Sequence, residues 1–138
     1  DALENVLKTI NEIRSRNEKL ITVFGCGGDR DKEKRPKMAK VASELSDQVL
    51  ITSDNPRFED PEDILKDIQK GVPAEHYKKV IKITDREEAI KAAISFASAG
   101  DIILIAGKGH EDYQDIKGKK TAFSDKEILN KNLRLLKG

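Results

Sequence analysis

The centre of the chain reads Ile51-Thr52-Ser53-Asp54-Asn55-Pro56-Arg57-Phe58-Glu59-Asp60-Pro61. It starts at the end of an apolar, β-branched run that is typical of a short buried strand, and after a polar turn it restarts with the signals of a helix. Pro56 restricts its own φ and disfavours a helical conformation at Asn55, so the turn between strand and helix is stiff. The stretch therefore predicts a strand, a rigid loop that presents Arg57, and a helix.

Strand and helix patterns alternate on both sides of this unit. Apolar residues at helical spacing predict a first helix to about Arg16 and a second helix that has Pro36 in its first turn. Asp60 is expected to cap a third helix that ends at Gly71, while capping boxes begin the last two helices. The boxes are Thr84 with Glu87 and Ser124 with Glu127. Strands are predicted at residues 20–24, 49–51, 80–83, 102–106, 113–116 and 121–123.

The alternation predicts an α/β fold built as a single domain over residues 1–138. We expect a Rossmann-like three-layer arrangement, in which a mostly parallel sheet of about six strands has helices on both faces. Residues 102–106 are continuously apolar, which predicts a central strand that is covered on both faces. The last two strands are expected to form a hairpin that adds an antiparallel edge to the sheet.

Composition narrows the class of protein. The chain has 138 residues, of which 37% are charged, yet its formal net charge is only +1. This balance argues against nucleic-acid binding, and no apolar run approaches the roughly 20 residues of a membrane span. A single cysteine and two separated histidines indicate neither a disulfide nor a metal site. We expect a cytoplasmic domain cut from a longer protein.

Three loops follow the carboxyl ends of predicted strands, at residues 25–31, 53–60 and 107–112. Ligands of open α/β sheets bind along this edge, so the three loops are expected to form one site. Its mixed charges suit a zwitterionic ligand, whose ammonium group binds a carboxylate and whose carboxylate binds an arginine. The site would hold Asp29, Arg30, Asp54, Asn55, Arg57, Lys108, His110 and Glu111.

Each loop also has a less specific interpretation. Arg57 could lie in a surface turn and pair with Glu59 or Asp60, and His110 could bond to backbone and have no ligand or proton-transfer role. Cys26 lies in a glycine turn with no histidine nearby in sequence, which favours packing over a nucleophilic role. Neither glycine loop has the spacing of a nucleotide-binding motif. A basic run is either a solvated helix face or a place for phosphate oxygens: Lys32, Lys34, Arg35 and Lys37.

Four motifs, in order along the chain, resemble the C-terminal domain of the Mur ligases, and specifically the MurE type. They are Phe24-Gly25-Cys26-Gly27-Gly28-Asp29-Arg30-Asp31, Lys34-Arg35-Pro36, Ser53-Asp54-Asn55-Pro56-Arg57 and Ala106-Gly107-Lys108-Gly109-His110-Glu111. The resemblance covers essentially the whole chain. The loop that reads Asp-Asn-Pro-Arg is the one associated with members that add meso-diaminopimelate.

The resemblance implies the third domain of a three-domain enzyme that forms an amide bond at the expense of ATP. In the family, the amine of the amino acid attacks an acyl phosphate on UDP-MurNAc-dipeptide, which other domains hold. ATP and Mg²⁺ are bound mainly by the central domain. This chain is therefore expected to hold no catalytic residue and no metal ligand, to be inactive alone, and to bind neither nucleic acid nor membrane.

Carried over to matching positions, the resemblance implies that five residues bind meso-diaminopimelate: Arg30, Asn55, Arg57, Gly107 and Glu111. Arg57 and Asn55 would take the distal carboxylate, and Glu111 and the carbonyl of Gly107 the distal ammonium group. Arg30 would lie nearer the reacting end, and Asp29 would face the ATP ribose when the domains close. Phe58 departs from the small or polar residue common at its position, which bears on the shape of the pocket beside Arg57.

Two alternatives come from the same residues. An L-lysine-adding ligase of the same family is one, although such members generally lack the Asp-Asn-Pro-Arg pattern because lysine has no distal carboxylate. The other is a non-catalytic, receiver-like α/β module, which shares the alternation of strands and helices. A receiver needs an acidic cluster at its strand ends, whereas Asp29, Asp31 and Asp54 are interleaved with arginines. The missing nucleotide motifs disfavour a small nucleotide-binding enzyme.

Overall fold

The computed structural model describes residues 2–15, 17–108, 111 and 113–137. Within these ranges the α-helices are α1 (Ala2–Ile13), α2 (Lys34–Leu45), α3 (Pro61–Gln69), α4 (Arg86–Phe96) and α5 (Asp125–Lys137). The strands are β1 (Leu20–Phe24), β2 (Gln48–Ile51), β3 (Val80–Lys82), β4 (Ile102–Ala106), β5 (Tyr113–Ile116) and β6 (Lys119–Ala122). A short 3₁₀ helix, Ala74–Lys79, precedes β3. None of the helices in the described part of the chain has the length and apolar character that a membrane crossing requires.

The main sheet has four parallel strands in the order β3-β2-β1-β4. Every residue of β1 is buried, because its side chains alternate between two helix layers. Leu20 and Phe24 pack in a cluster with residues of α1, α2 and α3, whereas Ile21 and Val23 pack with Ala89 of α4. The structure confirms the predicted α/β fold, with a mostly parallel sheet and helices on both faces.

The position of β4 differs from the prediction. Residues 102–106 were expected to form a central strand, but among the described residues β4 pairs only with β1 and is the edge of the sheet. Its side chains are half-buried. Leu104 packs against the helix layer of α1 and Ile103 against that of α4, so both faces are covered. A continuous apolar run indicates that both faces of a strand are covered by helices. It does not indicate whether one or two other strands pair with that strand.

The predicted hairpin forms a two-stranded sheet of its own. β5 and β6 are antiparallel, and the isolated parallel bridge between Arg57 and Ile116 joins the hairpin to the loop after β2. The second strand starts at Lys119, earlier than predicted, because Lys117 and Gly118 make a two-residue turn with φ of 54° and 81°. The six strands therefore form a sheet of four strands and a separate sheet of two strands.

The helix starts were predicted with one error. Asp60 accepts a hydrogen bond from the Glu62 N–H at 2.9 Å and Ser124 from that of Glu127 at 3.3 Å, as expected. The cap of α4 is Asp85 and not Thr84, because Asp85 Oδ1 accepts from the Glu88 N–H at 3.0 Å. The Thr84 carbonyl instead accepts a bond from the Ser53 N–H, which keeps Thr84 in the extended chain.

Candidate functional site

The three predicted loops meet at one edge of the sheet. β2, β1 and β4 are parallel neighbours, so their carboxyl ends lie side by side. The N–H of Gly28, after β1, donates to the carbonyl of Asn55, after β2, at 2.7 Å. Lys108, after β4, places its Nζ 2.9 Å from Oδ1 of Asp54. The described residues of all three loops thus form one continuous surface.

Two glycines allow the first loop to approach the second. A Cβ at Gly25 would lie 2.4 Å from the carbonyl oxygen of Thr52, and a Cβ at Gly28 would lie 1.8 Å from that of Pro56. Both distances are far inside van der Waals contact with backbone atoms, which cannot swing aside as a side chain can. The glycine turn therefore serves close packing of two backbones.

Arg57 is held by the hairpin and aimed at the glycine turn. Its N–H donates to the carbonyl of Asp115 at 2.9 Å, and its backbone has a φ of 53°. Nη1 donates to the carbonyl of Gly28 at 3.0 Å and more weakly to that of Asn55 at 3.4 Å. Within the described ranges, Nε and Nη2 have no hydrogen-bond partner. That edge of a half-buried guanidinium is free to bind a carboxylate or phosphate.

The alternative in which Arg57 lies in a surface turn and pairs with Glu59 or Asp60 is wrong. Among the described residues, Arg57 forms an ion pair with neither of these carboxylates. Phe58 is 73% exposed, and its ring packs over the hairpin turn, where a Cβ at Gly118 would lie 3.1 Å from Cζ. Most of the Phe58 side chain therefore faces solvent and the hairpin.

Asn55 and Glu111 are in direct contact. Asn55, 1% exposed, donates from Nδ2 to Oε1 of Glu111 at 3.0 Å. Its Oδ1 accepts from the Asp115 N–H at 2.9 Å and from Nζ of Lys108 at 3.2 Å. The other oxygen of Glu111 accepts from the hydroxyl of Tyr113 at 3.2 Å. The site thus contains a carboxylate whose orientation is set by two donors.

Three of the other predicted residues, Asp29, Arg30 and Gly107, lie at the exposed rim of the site. Asp29 and Arg30 are exposed, and a Cβ at Gly27 would lie 2.8 Å from Nη1 of Arg57 and 3.3 Å from Cγ of Arg30. Gly107 is exposed and has a φ of 116°. Arg30 and Arg57 therefore both approach Gly27. His110 lies outside the described residues, as do its neighbours Gly109 and Asp112.

Lys108 and Asp54 form a buried ion pair beneath these groups. Lys108 is 3% and Asp54 6% exposed. Burial raises the pKa of the Asp54 carboxyl, and the Lys108 ammonium group opposes this shift. Nζ of Lys108 also donates to the carbonyl of Tyr113 at 2.8 Å. Lys108 therefore connects its own loop to the second loop and to the hairpin.

Arg35, which the sequence placed in a solvated basic run, is fully buried. Its guanidinium donates to Glu59 at 2.8 and 3.0 Å, to Asp67 at 3.0 Å and to the carbonyl of Gly27 at 3.0 Å. One signal was available, since Arg35 extends the buried stripe of α2 by one turn before Ala39. Arg35 thus ties the first two loops to α3.

Arg86 was also missed as a residue that supports the site. It is 1% exposed, and it donates to Asp125 twice at 2.7 Å and to the carbonyls of Ser53 and Ala106 at 3.2 Å. These carbonyls follow β2 and end β4, so one guanidinium joins two strand ends to α5. Its place on the buried stripe of α4 was the available signal.

Cys26 packs against the core. Burial raises the pKa of its thiol to about 12, and Sγ lies 3.6 Å from Sδ of Met38. A thiol with this pKa is a poor nucleophile at neutral pH. Among the described residues, no group of three or more His, Cys, Asp or Glu side chains is placed to hold a metal ion.

Glu59 links the stability of this loop to pH. The Arg35 guanidinium hydrogen-bonds the carboxylate and holds the pKa of Glu59 at about 2, below the ordinary value of 4.5. A carboxyl whose pKa is lowered on folding stabilises the fold above its unfolded pKa, and this contribution is lost as the pH falls from 4.5 to about 2. We expect Glu59→Gln to lower the free energy of unfolding at neutral pH, with a gap to wild type that closes across this window. Urea unfolding at a series of pH values measures the gap.

Glu75→Gln is the matched control, because Glu75 is exposed and its carboxyl has no described hydrogen-bond partner. Its free energy of unfolding should follow that of the wild type at every pH. A Glu59→Gln gap that is the same at neutral pH and at about pH 3 would contradict the pKa-based account.

Comparisons with known proteins show which family the chain resembles. The family model described as "Mur ligase, glutamate ligase domain" matches residues 1–109. The UDP-N-acetylmuramoyl-L-alanyl-D-glutamate--2,6-diaminopimelate ligase of Bacteroides fragilis is 57% identical over 129 residues, 94% of this chain and 27% of that protein. The protein of the same name from Cytophaga hutchinsonii is 56% identical over 136 residues, 99% of this chain and 28% of that protein. The chain thus spans about a quarter of these relatives' length.

Two solved structures are similar as well. A structure of UDP-N-acetylmuramoyl-L-alanyl-D-glutamate--2,6-diaminopimelate ligase superimposes with a TM-score of 0.91 at 45% identity, covering 100% of this chain and 28% of that one. A folylpolyglutamate synthase from Thermotoga maritima has a TM-score of 0.51 at 18% identity, covering 75% of this chain and 21% of that one. The second likeness concerns the fold alone.

Proposed function

This chain belongs to the Mur ligase family, and we propose that it is the C-terminal, amino-acid-binding domain of a longer three-domain enzyme. That enzyme adds meso-diaminopimelate to UDP-MurNAc-L-Ala-D-Glu at the expense of ATP, in the synthesis of the peptidoglycan precursor in the cytoplasm. The relatives' names support the reaction. The rest of the protein binds UDP-MurNAc-dipeptide, ATP and Mg²⁺, and this domain alone is inactive.

The observation that supports the proposal best is that Asn55 contacts both Arg57 and Glu111, so that a guanidinium group and a carboxylate bond to the same residue. The side-chain amide of Asn55 donates to Glu111 at 3.0 Å, and the backbone carbonyl of Asn55 accepts from the Arg57 guanidinium at 3.4 Å. The distal carbon of meso-diaminopimelate carries an ammonium and a carboxylate group together, so it needs an anion and a cation side by side. L-Lysine has only the ammonium group at that end and leaves Arg57 without a partner.

The roles of the residues are those that the family resemblance implies, and the pairing of Asn55 with Glu111 supports them. Arg57 and Asn55 bind the distal carboxylate, while Glu111 and the carbonyl of Gly107 bind the distal ammonium group. Arg30, which like Arg57 approaches Gly27, lies nearer the reacting amine. That amine attacks the acyl phosphate of the UDP-linked substrate and forms the amide bond as phosphate leaves. Asp29 faces the ATP ribose when the enzyme closes.

The test is the amino-acid preference of the full-length protein. With UDP-MurNAc-L-Ala-D-Glu, ATP and Mg²⁺ supplied, we expect kcat/KM for meso-diaminopimelate to exceed that for L-lysine by about 100-fold or more, because lysine leaves a recognition arginine unpaired. Phosphate release and product mass measure the two rates. A preference for lysine would establish the lysine-adding alternative, and turnover of neither amino acid would reject the ligase proposal.

A further inference from the structure

We propose that Lys108 is a positioning residue for amino-acid recognition, in that its buried ammonium group fixes the side-chain amide of Asn55 in the orientation that receives a carboxylate. The inference rests on the proposed function. It concerns a residue whose ammonium group is already engaged by Asp54, Asn55 and the carbonyl of Tyr113.

Three oxygen atoms of the protein surround the ammonium group of Lys108. Nζ of Lys108 donates to Oδ1 of Asn55 at 3.2 Å and to the carbonyl of Tyr113 at 2.8 Å, and it lies 2.9 Å from the carboxylate of Asp54. An ammonium group has three N–H bonds and no acceptor. Two of these donors are in hydrogen bonds to Asn55 and Tyr113, and the ammonium group is also paired with the charge of Asp54.

The partners of Asn55 determine which end of its amide is oxygen. The Asp115 N–H and the Lys108 ammonium group can only donate, so the atom that both contact must be Oδ1. The opposite atom contacts Glu111 at 3.0 Å, and a carboxylate only accepts, so this atom must be Nδ2. If the amide were rotated by a half turn, its NH₂ group would face two donors and its oxygen would face a carboxylate. Neither contact could form a hydrogen bond.

This orientation leaves one hydrogen of Nδ2 without a partner among the described residues, beside the hydrogen that Glu111 takes. A ligand whose ammonium group is bound by Glu111 would bring the carboxylate on the same carbon to this hydrogen. The amide thus becomes selective for a ligand that carries both groups. Lys108 sets this selectivity from beneath the site, through Oδ1.

Replacing Lys108 also lowers the stability of the protein, and this effect must be distinguished from the effect on recognition. It leaves the Asp54 carboxylate buried without its cation, which is destabilising by itself. The double variant Asp54→Asn/Lys108→Met removes the ion pair as a whole and leaves no isolated charge. It still lacks the donor to Asn55, so it tests recognition with the charge problem removed. Lys119→Met is the control, because Lys119 is an exposed lysine on the same hairpin.

The experiment uses the full-length protein and measures Tm together with KM for meso-diaminopimelate and for ATP. In Lys108→Met and in the double variant we expect KM for meso-diaminopimelate to rise about tenfold, the value of one hydrogen bond to a charged group, with KM for ATP nearly unchanged. The double variant should recover most of the Tm that Lys108→Met loses. Lys119→Met should match the wild type in all three measurements.

Recovery of both Tm and KM in the double variant would overturn the inference and leave Lys108 as a structural residue only. Failure of the wild type to use meso-diaminopimelate would instead overturn the proposed function. If neither variant folds, the Asn55 side-chain amide signals in the NMR spectrum of the wild type decide. One set of signals, shifted by meso-diaminopimelate but not by L-lysine, supports the inference, and two interconverting sets or no shift overturn it.

Discussion

Replacing Arg57 by alanine in the full-length protein is expected to lower kcat/KM for meso-diaminopimelate by about 30-fold or more, with KM for ATP within about twofold of wild type. A charged pair between ligand and protein, removed from one side in a site shielded from water, costs about 2 kcal/mol or more, which corresponds to this factor. Steady-state kinetics with each substrate varied in turn gives both values.

Two further variants at this position distinguish the loss of the guanidinium group from a change in the backbone of the loop. The φ of 53° at Arg57 strains any residue other than glycine, so Arg57→Gly removes the guanidinium while it relaxes the backbone. Arg57→Lys keeps the charge but loses the planar fork, and we expect an intermediate loss. Arg134→Ala, at an exposed position of α5, is the neutral control. Normal use of meso-diaminopimelate by both Arg57→Ala and Arg57→Gly would contradict the role given to Arg57.

Replacing Arg35 by methionine is expected to lower the free energy of unfolding of this chain by about 3 kcal/mol, whereas Lys34→Met should change it by less than about 0.5 kcal/mol. The two residues are neighbours in one basic run, but Arg35 is fully buried and Lys34 is exposed. Methionine keeps much of the volume and removes the donors. It leaves Glu59, Asp67 and the carbonyl of Gly27 without their partner.

Urea unfolding at neutral pH measures both variants. Equal stability losses in Arg35→Met and Lys34→Met would show that the buried network contributes nothing specific. We also expect Arg35→Met to weaken binding of meso-diaminopimelate, because Glu59 then loses the cation that orients it, and Glu59 holds the Asp29 N–H at 2.8 Å. The first loop would move away from the second, and the contact between Gly28 and Arg57 would lengthen.

Much of the site could be located from local patterns and one rule of topology. Loops that follow parallel strands share the carboxyl edge of the sheet whatever the details of packing, so Gly28, Asn55 and Lys108 were expected in one place and are found there. The ligand roles of Arg30, Asn55, Arg57, Gly107 and Glu111 stay predictions. What the structure adds is that Asn55 and Glu111 are bonded to each other.

The sequence by itself determined the elements whose signals are local: the apolar strands, the stiff turn at Pro56, the cap at Asp60 and the order of helices and strands. Only the tertiary structure decided that β4 is an edge strand, that the hairpin docks on Arg57, and which cations are buried. Arg35 meets Asp67 32 residues away, and Lys108 meets Asn55 53 residues away. Burial and charge pairing depend on partners brought together by the fold, and no window of neighbouring residues contains both members of such a pair.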